Sequence, residues 1–377
     1  MEELNKIIIN GYELVFEHNE TILEIALRNS IDIPTLCYLK GAHSKGECGV
    51  CVVELDGVND LIQSCSTPAE NGMIVSTESG KVIESRRLTL KKMLSSGNHN
   101  CAARNTDDGD WTDFQLNVQK DDNTDQLCPV WGDCRLQDLA YRYQVSGEGD
   151  PGTKVPYPIE DVNPFIVRDF SRCILCGRCL RACNEVQVNN AIDFGNKDSF
   201  SKITTQNDNP LKDSDCVFCG ECVQACPVGA LVEKDVRYNV RHWDTRKVRT
   251  TCSYCGVGCQ IYLHIKDNNI VKVTGVDGTP PNYGSLCVKG RFGYNFVNSP
   301  DRLTMPLIRK NGELCEVSWD EAIEVVANKL NKIKKDHGSD SIGLLTSARI
   351  TNEENYIAHK FTRAVLKTNN IDHCARL

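Results

Sequence analysis

Twenty-one cysteines in 377 residues are the side chains most able to do chemistry in this chain, and most of them fall into spaced runs. Cys173, Cys176, Cys179 and Cys183 follow C-x2-C-x2-C-x3-C, and Cys216, Cys219, Cys222 and Cys226 repeat the pattern, with Pro227 closing the second run. Cys37, Cys48, Cys51 and Cys65 follow C-x10-C-x2-C-x13-C, with Gly41, Gly46 and Gly49 between them. Cys252, Cys255 and Cys259 follow C-x2-C-x3-C, and Cys287 comes 28 positions later. A fifth set, His99, Cys101, Cys128 and Cys134, is spread more widely. Thiolates at such spacings hold metal, and the two repeated runs have the pattern that carries cubane iron–sulfur clusters. On spacing alone the Cys252 set also suits zinc; the Cys37 set suits it less, because zinc ligands usually come as two short pairs. Glycine between ligands lets backbone amides approach cluster sulfur, and such hydrogen bonds tune a redox potential. The chemistry implied is electron transfer.

The elements that must position these ligands are small. A hydrophobic content of 40% and a mean hydropathy of -0.36 are low for one large core, so several modules held partly by metal are expected. The formal charge of -8, before any thiolate is counted, argues against a nucleic-acid partner. No apolar stretch has the length of a membrane span, so none is expected. Nothing after Met1 reads as a secretion signal, which predicts a cytoplasmic location, where paired cysteines point to metal rather than to disulfides.

Ile7, Ile9, Leu14 and Phe16 alternate around Gly11 and predict a hairpin; Ile22, Ile25 and Ala26 predict a helix over Thr21–Asn29. Hairpin plus helix is the start of a β-grasp. Val82, Leu88, Leu90 and Leu94 predict a helix from Val82 to Ser95 with Gly97 just beyond it, and the Arg86-Arg87 pair reads as the surface of that helix rather than as an export signal. A Gly/Pro-rich linker from Ser146 to Pro164 precedes the repeated runs. Gln260–Ile265 and Ile270–Thr274 predict a hairpin turning at Asp267-Asn268-Asn269. From residue 303 the pattern becomes α/β. Ser318-Trp-Asp-Glu321 forms a capping box for a helix with Ile323, Val326, Ala327, Leu330 and Ile333 on one face and Gly338 at its end. Ser341–Thr346 reads as a buried strand, and Thr351-Asn-Glu-Glu354 caps a second helix carrying Ile357, Phe361, Ala364 and Val365. One strand and two helices cannot complete a parallel sheet, so residues 303–377 are expected to begin a domain.

The Cys37 set resembles the [2Fe–2S] module at the front of complex I large subunits, iron-only hydrogenases and NAD-linked formate dehydrogenases. Those families also hold a [4Fe–4S] cluster on one histidine and three cysteines, usually as H-x3-C-x2-C-x5-C. Cys128-Pro-Val-Trp-Gly132-Asp-Cys134 matches the second half of that motif. The first half departs: His99 and Cys101 are one residue apart, and 26 residues separate Cys101 from Cys128. A surface insertion adds only slowly growing loop entropy, which leaves His99 as a cluster ligand or as an ordinary helix-end histidine. The repeated runs resemble the two-cluster bacterial ferredoxins, in which the fourth cysteine of each run ligates the other cluster. That resemblance assigns Cys173, Cys176, Cys179 and Cys226 to one [4Fe–4S] cluster and Cys183, Cys216, Cys219 and Cys222 to its partner. Cys287-Val-Lys289-Gly290-Arg291-Phe-Gly resembles the N-terminal [4Fe–4S] module of the molybdopterin oxidoreductase superfamily. It implies a cluster on Cys252, Cys255, Cys259 and Cys287, and makes Lys289 either a cofactor-contacting electron relay between cluster and pterin or an ordinary solvated lysine.

The expected architecture is an α+β multidomain chain. It comprises a β-grasp [2Fe–2S] ferredoxin domain over residues 1–80, a [4Fe–4S] domain with one His and three Cys ligands over 81–145, and a two-cluster ferredoxin domain over 146–245. A molybdopterin oxidoreductase [4Fe–4S] domain follows over 246–302, then the incomplete start of a molybdopterin-binding α/β domain over 303–377. Modules in this order are similar to the N-terminal part of the catalytic subunit of a cytoplasmic formate dehydrogenase. The resemblance implies one [2Fe–2S] and four [4Fe–4S] clusters, and molybdenum or tungsten bis(molybdopterin guanine dinucleotide) in the full-length enzyme. It implies formate and CO2 as reactants, and electron-accepting or -donating subunits: an NAD(P)-linked flavin subunit, a hydrogenase or a ferredoxin. Asp372-His373-Cys374-Ala375-Arg376-Leu377 resembles the segment before the metal-ligating selenocysteine or cysteine of that family. Selenocysteine is therefore expected next, the catalytic residues after Leu377, and no activity towards formate from these 377 residues alone. Cys315 and Cys374 are expected to be buried thiols. Two alternatives stand: a non-catalytic iron–sulfur electron carrier, and the large subunit of a complex I-like or hydrogenase-like assembly. Complex I large subunits usually lack the paired run before the pterin-type cluster, and iron-only hydrogenases lack the C-x2-C-x3-C hairpin.

Overall fold

Asn10 and Gly11, at φ 52° and 84°, reverse the chain between strands β1 (Lys6–Ile9) and β2 (Tyr12–Val15). The asparagine–glycine pair suits this two-residue turn because both positions need positive φ. The structure, a computed structural model, describes residues 5–96, 99, 128–145, 159–197 and 200–373. The chain divides into two compact units, Met1–Arg246 and Lys247–Leu377.

In the first unit, the predicted alternation buries Ile7, Ile9 and Phe16. Helix α1 (Ile22–Arg28) starts at a reciprocal capping box between Thr21 and Glu24 and buries Ile22, Leu23, Ile25 and Ala26. Strands β3 (Val52–Leu55), β4 (Ile62–Gln63) and β5 (Ile74–Ser76) complete a sheet of order β2-β1-β5-β3-β4, in which β1 and β5 run parallel. Cys51 and Cys65 lie in the core between this sheet and α1.

Helix α2 (Gly80–Ser95) is capped by Ser79, whose side chain accepts from the Val82 amide. Its inward stripe is Val82, Arg86, Leu90 and Leu94. Two expectations are corrected here. Leu88 is 53% exposed, because two positions along a helix turn the side chain by about 200° from the buried Arg86. Arg86 is not at the surface but fully buried. Its Nε donates to Val50 O (3.0 Å), Nη2 to Val52 O (2.8 Å), and Nη1 to Glu78 Oε1 and Tyr143 OH (both 2.8 Å). Only with such a set of acceptors is a buried guanidinium tolerated. Arg87 stays exposed and reaches Tyr143 O. Helix α3 (Arg135–Arg142) buries Leu136, Leu139 and Ala140 and leads into that tyrosine.

The rest of the first unit is a repeat. Strands β6 (Ile159–Glu160) and β7 (Ile166–Asp169) precede the short helix α4 (Arg178–Arg181). A hairpin of β8 (Asp193–Lys197) and β9 (Phe200–Thr204), which the sequence pattern had not announced, intervenes before α5 (Glu221–Ala225) and β10 (Leu231–Glu233). β7 is the middle strand of the sheet β10-β7-β6.

The second unit opens with β11 (Arg246–Thr251), β12 (Gln260–Lys266) and β13 (Asn269–Gly275) as one antiparallel sheet. Its hairpin turns where expected, with Asp267 and Asn268 at positive φ. Helix α6 (Val288–Phe292) follows, then a hairpin of β14 (Leu307–Lys310) and β15 (Glu313–Glu316). Helix α7 (Trp319–His337) has one half of the expected capping box: Ser318 accepts from the Glu321 amide, while the Glu321 side chain pairs with Lys310 at 2.6 Å. Ile323, Val326 and Ile333 share the predicted face, yet no residue of α7 is buried. The expected buried strand is shorter, β16 (Leu344–Thr346), and Leu345 is 84% exposed. Helix α8 (Asn352–Phe361) has the full Thr351–Glu354 capping box, but Ile357, Phe361 and Val365 face outward. A second strand not foreseen, β17 (Ile371–His373), pairs parallel with β16. A two-stranded sheet offers too little face to cover two helices, which is why both apolar stripes stand open. Cys315 is partly exposed rather than buried, and Cys374 lies outside the described residues.

Candidate cluster-binding sites

The two repeated runs fold alike. Leu175 and Phe218 both take φ 54°, and Gly177 and Gly220 take 69° and 72°. Positive φ at these positions curls the backbone around the first cysteine, so that the Leu175 amide donates to Cys173 Sγ and the Phe218 amide to Cys216 Sγ, each at 3.4 Å. Glycine is needed at the second of them because it adopts this conformation without strain. Together the runs line one cavity of about 50 Å³ whose wall holds Cys173, Cys176, Cys179, Cys183, Cys216, Cys219, Cys222 and Cys226 among apolar side chains such as Ile166, Ile203 and Leu231.

Burial pushes the Cys173 thiol up to about 11, with Cys226 adding to the rise. Cys176 is raised by burial, then by Cys226 and Cys173, and Cys179 by burial, then by Cys176, Cys173 and Cys226. In the other half, burial raises Cys216, and among neighbouring thiols Cys219 and Cys183 act on it. Cys222 also raises Cys179, and Cys226 raises Cys222, so the thiols of the two runs act on one another across the cavity. Burial also raises Cys226, against backbone hydrogen bonds from Val228, Leu231 and Ala230.

Cys37, Cys48, Cys51 and Cys65 are all buried, with Cys51 Sγ and Cys65 Sγ 3.2 Å apart. Cys48 is raised by its contact with Cys37 and then by burial, while the contact with Cys65 holds Cys51 below its ordinary value. The glycine between them is constrained: at Gly46, φ 65°, a Cβ would fall 1.7 Å from Gln63 Oε1.

Cys128 and Cys134 are buried in one apolar cluster with Cys37, Cys48 and Cys176. Arg241 Nη1 donates to Cys128 O at 2.7 Å. His99 is partly buried, with Nε2 shielded from solvent. Cys101 lies outside the described residues, so the fifth set is described only in part. Cys252 and Cys287 meet beside Gly290, where a Cβ would lie 3.7 Å from Cys252 Sγ and 3.9 Å from Cys287 Sγ. Cys259 is raised by burial, then by Cys252, Cys255 and Cys287. Cys255 and Cys287 are exposed, and so is Lys289 in the first turn of α6.

Among the described residues, no three His, Cys, Asp or Glu side chains converge closely enough to hold a single metal ion. Gathered thiols with space between them fit a cluster, in which each cubane iron takes one thiolate and each [2Fe–2S] iron two. Burying thiols together lifts their proton affinity, so they stay apart from solvent until iron displaces the protons.

The sequence reading missed the arginines. Arg178 Nε donates to Ala225 O and its Nη1 to Tyr38 O, both at 2.7 Å. Arg181 Nη1 donates to Cys37 O (3.1 Å) and Cys176 O (3.2 Å), and its Nη2 pairs with Glu47. The available signal was an asymmetry between the repeats, because Glu221 and Gln224 stand where the first run has these two arginines.

Four stretches match known families: a 2Fe-2S iron-sulfur cluster binding domain over residues 5–80, a 4Fe-4S dicluster domain over 172–230, the molybdopterin oxidoreductase Fe4S4 domain over 245–299, and molybdopterin oxidoreductase over 302–377. The chain carries the domains of a molybdopterin oxidoreductase. Its iron–sulfur domains thus lie ahead of a molybdopterin domain. It is 32% identical over 98% of its length to YrhE of Bacillus subtilis (strain 168), a protein provisionally named a formate dehydrogenase. A Staphylococcus aureus (strain USA300) protein named in the same way is 31% identical over 100% of the chain. The chain spans 39% of the length of each of these relatives. The crystal structure of an NAD+-reducing [NiFe]-hydrogenase in the H2-reduced state is similar over 63% of this chain and 90% of that one, with a TM-score of 0.52 and 28% identity. Among the described residues, no helix is long and apolar enough to cross a membrane.

Proposed function

We propose that this chain is the iron–sulfur electron-transfer portion of a formate dehydrogenase, in which formate gives CO2, two electrons and a proton. The observation that carries the reading is the gathering of the repeat's eight cysteines around one apolar cavity, in a chain that also matches the molybdopterin oxidoreductase family. The ligand sets are Cys37, Cys48, Cys51 and Cys65 for a [2Fe–2S] cluster, and Cys173, Cys176, Cys179 and Cys226, Cys183, Cys216, Cys219 and Cys222, and Cys252, Cys255, Cys259 and Cys287 for three [4Fe–4S] clusters. His99, Cys101, Cys128 and Cys134 make a fourth such site. When bound, the clusters supply one-electron steps and the pterin-held molybdenum or tungsten supplies the two-electron chemistry at formate.

The protein's own part is positional. The apolar walls of the repeat exclude water, which keeps the thiols screened and strengthens the amide donors aimed at their sulfur. Lys289 stands beside Cys287, where a relay to the pterin would lie. The similarity of most of the chain to an NAD+-reducing hydrogenase favours a common electron relay and a partner subunit, whether NAD(P)-linked, hydrogenase or ferredoxin, that exchanges electrons with the first unit. A relay serving a hydrogenase-like assembly is the second reading; the molybdopterin match over 302–377 favours the first. Anaerobically purified full-length protein should reduce a viologen dye with formate and carry about 18 iron atoms per chain. Hydrogen-dependent reduction without formate-dependent reduction would support the second reading, and zinc in place of iron would remove both.

A further inference from the structure

The ligand loop of the Cys37 site and that of the Cys176 site meet on one side chain. Arg181 is 5% exposed and donates from a single nitrogen to the carbonyls of Cys37 and Cys176. The two carbonyl oxygens are therefore no further apart than two hydrogen bonds laid end to end. Glu47, from the same loop as Cys48, holds the other nitrogen, and His43 N donates to Glu185 Oε2 at 2.7 Å across the same contact. Arg178, one turn earlier, holds Tyr38 O and Ala225 O, so both arginines span the two loops. The charge of Arg178 also feels thiols from both sites, Cys176 and Cys226 on one side and Cys37 on the other. Gly177 makes room for this: a Cβ there would lie 2.8 Å from Glu47 Oε2. The second run has Gln224 in place of Arg181.

We infer that Arg181 is a positioning residue that holds the Cys37/Cys48/Cys51/Cys65 site and the Cys173/Cys176/Cys179/Cys226 site as direct electron-transfer neighbours and raises the reduction potential of both. The inference rests on the iron–sulfur reading above. In the step it serves, one electron leaves the reduced [4Fe–4S] cluster and reduces the oxidised [2Fe–2S] cluster; no bond breaks and no proton moves. A fixed cation between two groups that each gain negative charge favours reduction of either. Nη1 bridges the two ligand carbonyls while Glu47 anchors Nη2, so the planar guanidinium is held at two nitrogens and fixes the bridge, which lysine, with its single flexible ammonium, cannot do.

The test uses anaerobically purified full-length holoprotein, its iron content, redox titrations and electron paramagnetic resonance. In the unsubstituted protein the reduced [2Fe–2S] signal should relax faster once the neighbouring cubane is reduced. Arg181→Gln, with iron content and both signals retained, should make reduction of each cluster about tenfold less favourable, about 59 mV for one electron, and weaken the relaxation effect. Arg181→Lys should restore the potentials but not the relaxation effect. Should Arg181→Gln lose a cluster, Glu47→Gln, which unmasks the Arg181 charge, must raise both potentials. Unchanged potentials and relaxation in Arg181→Gln, a fall or no change in Glu47→Gln, or no interaction in the unsubstituted protein would overturn the inference while the individual cluster signals leave the functional reading standing. Absence of those signals would remove the functional reading itself, and the inference with it.

Discussion

In the Met1–Arg246 unit the sulfur sites are closed by their neighbours: Cys176, Cys179 and Cys183 are buried, and the Cys37 loop is pinned by arginines from the next module. In the Lys247–Leu377 unit Cys255 and Cys287 are exposed, and helix α7 buries nothing while Trp319, Ile323 and Val326 face outward. The first unit buries thiols with segments drawn from several of its own modules, whereas the second leaves Cys255 and Cys287 open. Stability and metal retention should accordingly be cooperative in the first unit and local in the second, and the comparison can be broken at several points.

The largest effect is expected at Cys226, which belongs to one run and, in the proposed assignment, serves the other. Cys226→Ser should cost about four iron atoms and one cubane signal, and the first unit should melt earlier because metal binding there is part of folding. Cys287→Ser should remove one cubane and leave the thermal transition of the first unit in place. Iron analysis beside calorimetry checks both, and equal destabilisation by the two would end the distinction.

Next is the buried guanidinium. Arg86→Ala leaves the Val50 and Val52 carbonyls without this donor, while Glu78 keeps Arg142 and Tyr143, and should destabilise the first unit by about 2–4 kcal/mol. Arg309, an exposed residue of the second unit that donates to Gly312 O, should cost less than about 0.5 kcal/mol when replaced by alanine. Urea unfolding measures both.

A pH effect is expected in the second unit. His264 is buried against Thr274, 3.0 Å from Nε2 to Oγ1, and burial, with Lys272 and Lys247 nearby, lowers its pKa from 6.5 to about 4. Because the folded state disfavours the proton, its contribution is complete above pH 6.5 and is lost as pH falls towards 4, up to about 3 kcal/mol. His264→Gln should flatten that acid limb, and an unchanged limb would place the sensitivity elsewhere. The smallest effect is one the units share. Thr21→Ala and Thr351→Ala each remove the serine-or-threonine half of a capping box and should each cost about 1 kcal/mol. A much larger loss at Thr351 would mean that the second unit is better packed than its open helices show.

How much of this was legible beforehand depended on how local the cause was. The β1–β2 turn, the capped starts of α1, α7 and α8, and the hairpin at Asp267–Asn269 follow from residues within a few positions of one another, and each was readable from side-chain type and period. The cysteine spacings likewise announced iron–sulfur chemistry, because most of the ligands proposed for each cubane lie in one short loop. The alternation and spacing could not say that Arg86 would turn inward while Leu88 turned out. That choice was made by Val50, Val52 and Tyr143, residues distant in sequence that supply the acceptors a buried guanidinium needs.

The sequence by itself determined the number and grouping of the thiols, the caps and the turns. Only the tertiary structure decided which apolar faces are covered, and that Arg181 joins Cys37 to Cys176. Local geometry is set by backbone preferences that each residue carries with it. Burial and charge pairing are set by whichever distant segments arrive, and these decide which faces of a helix find a partner.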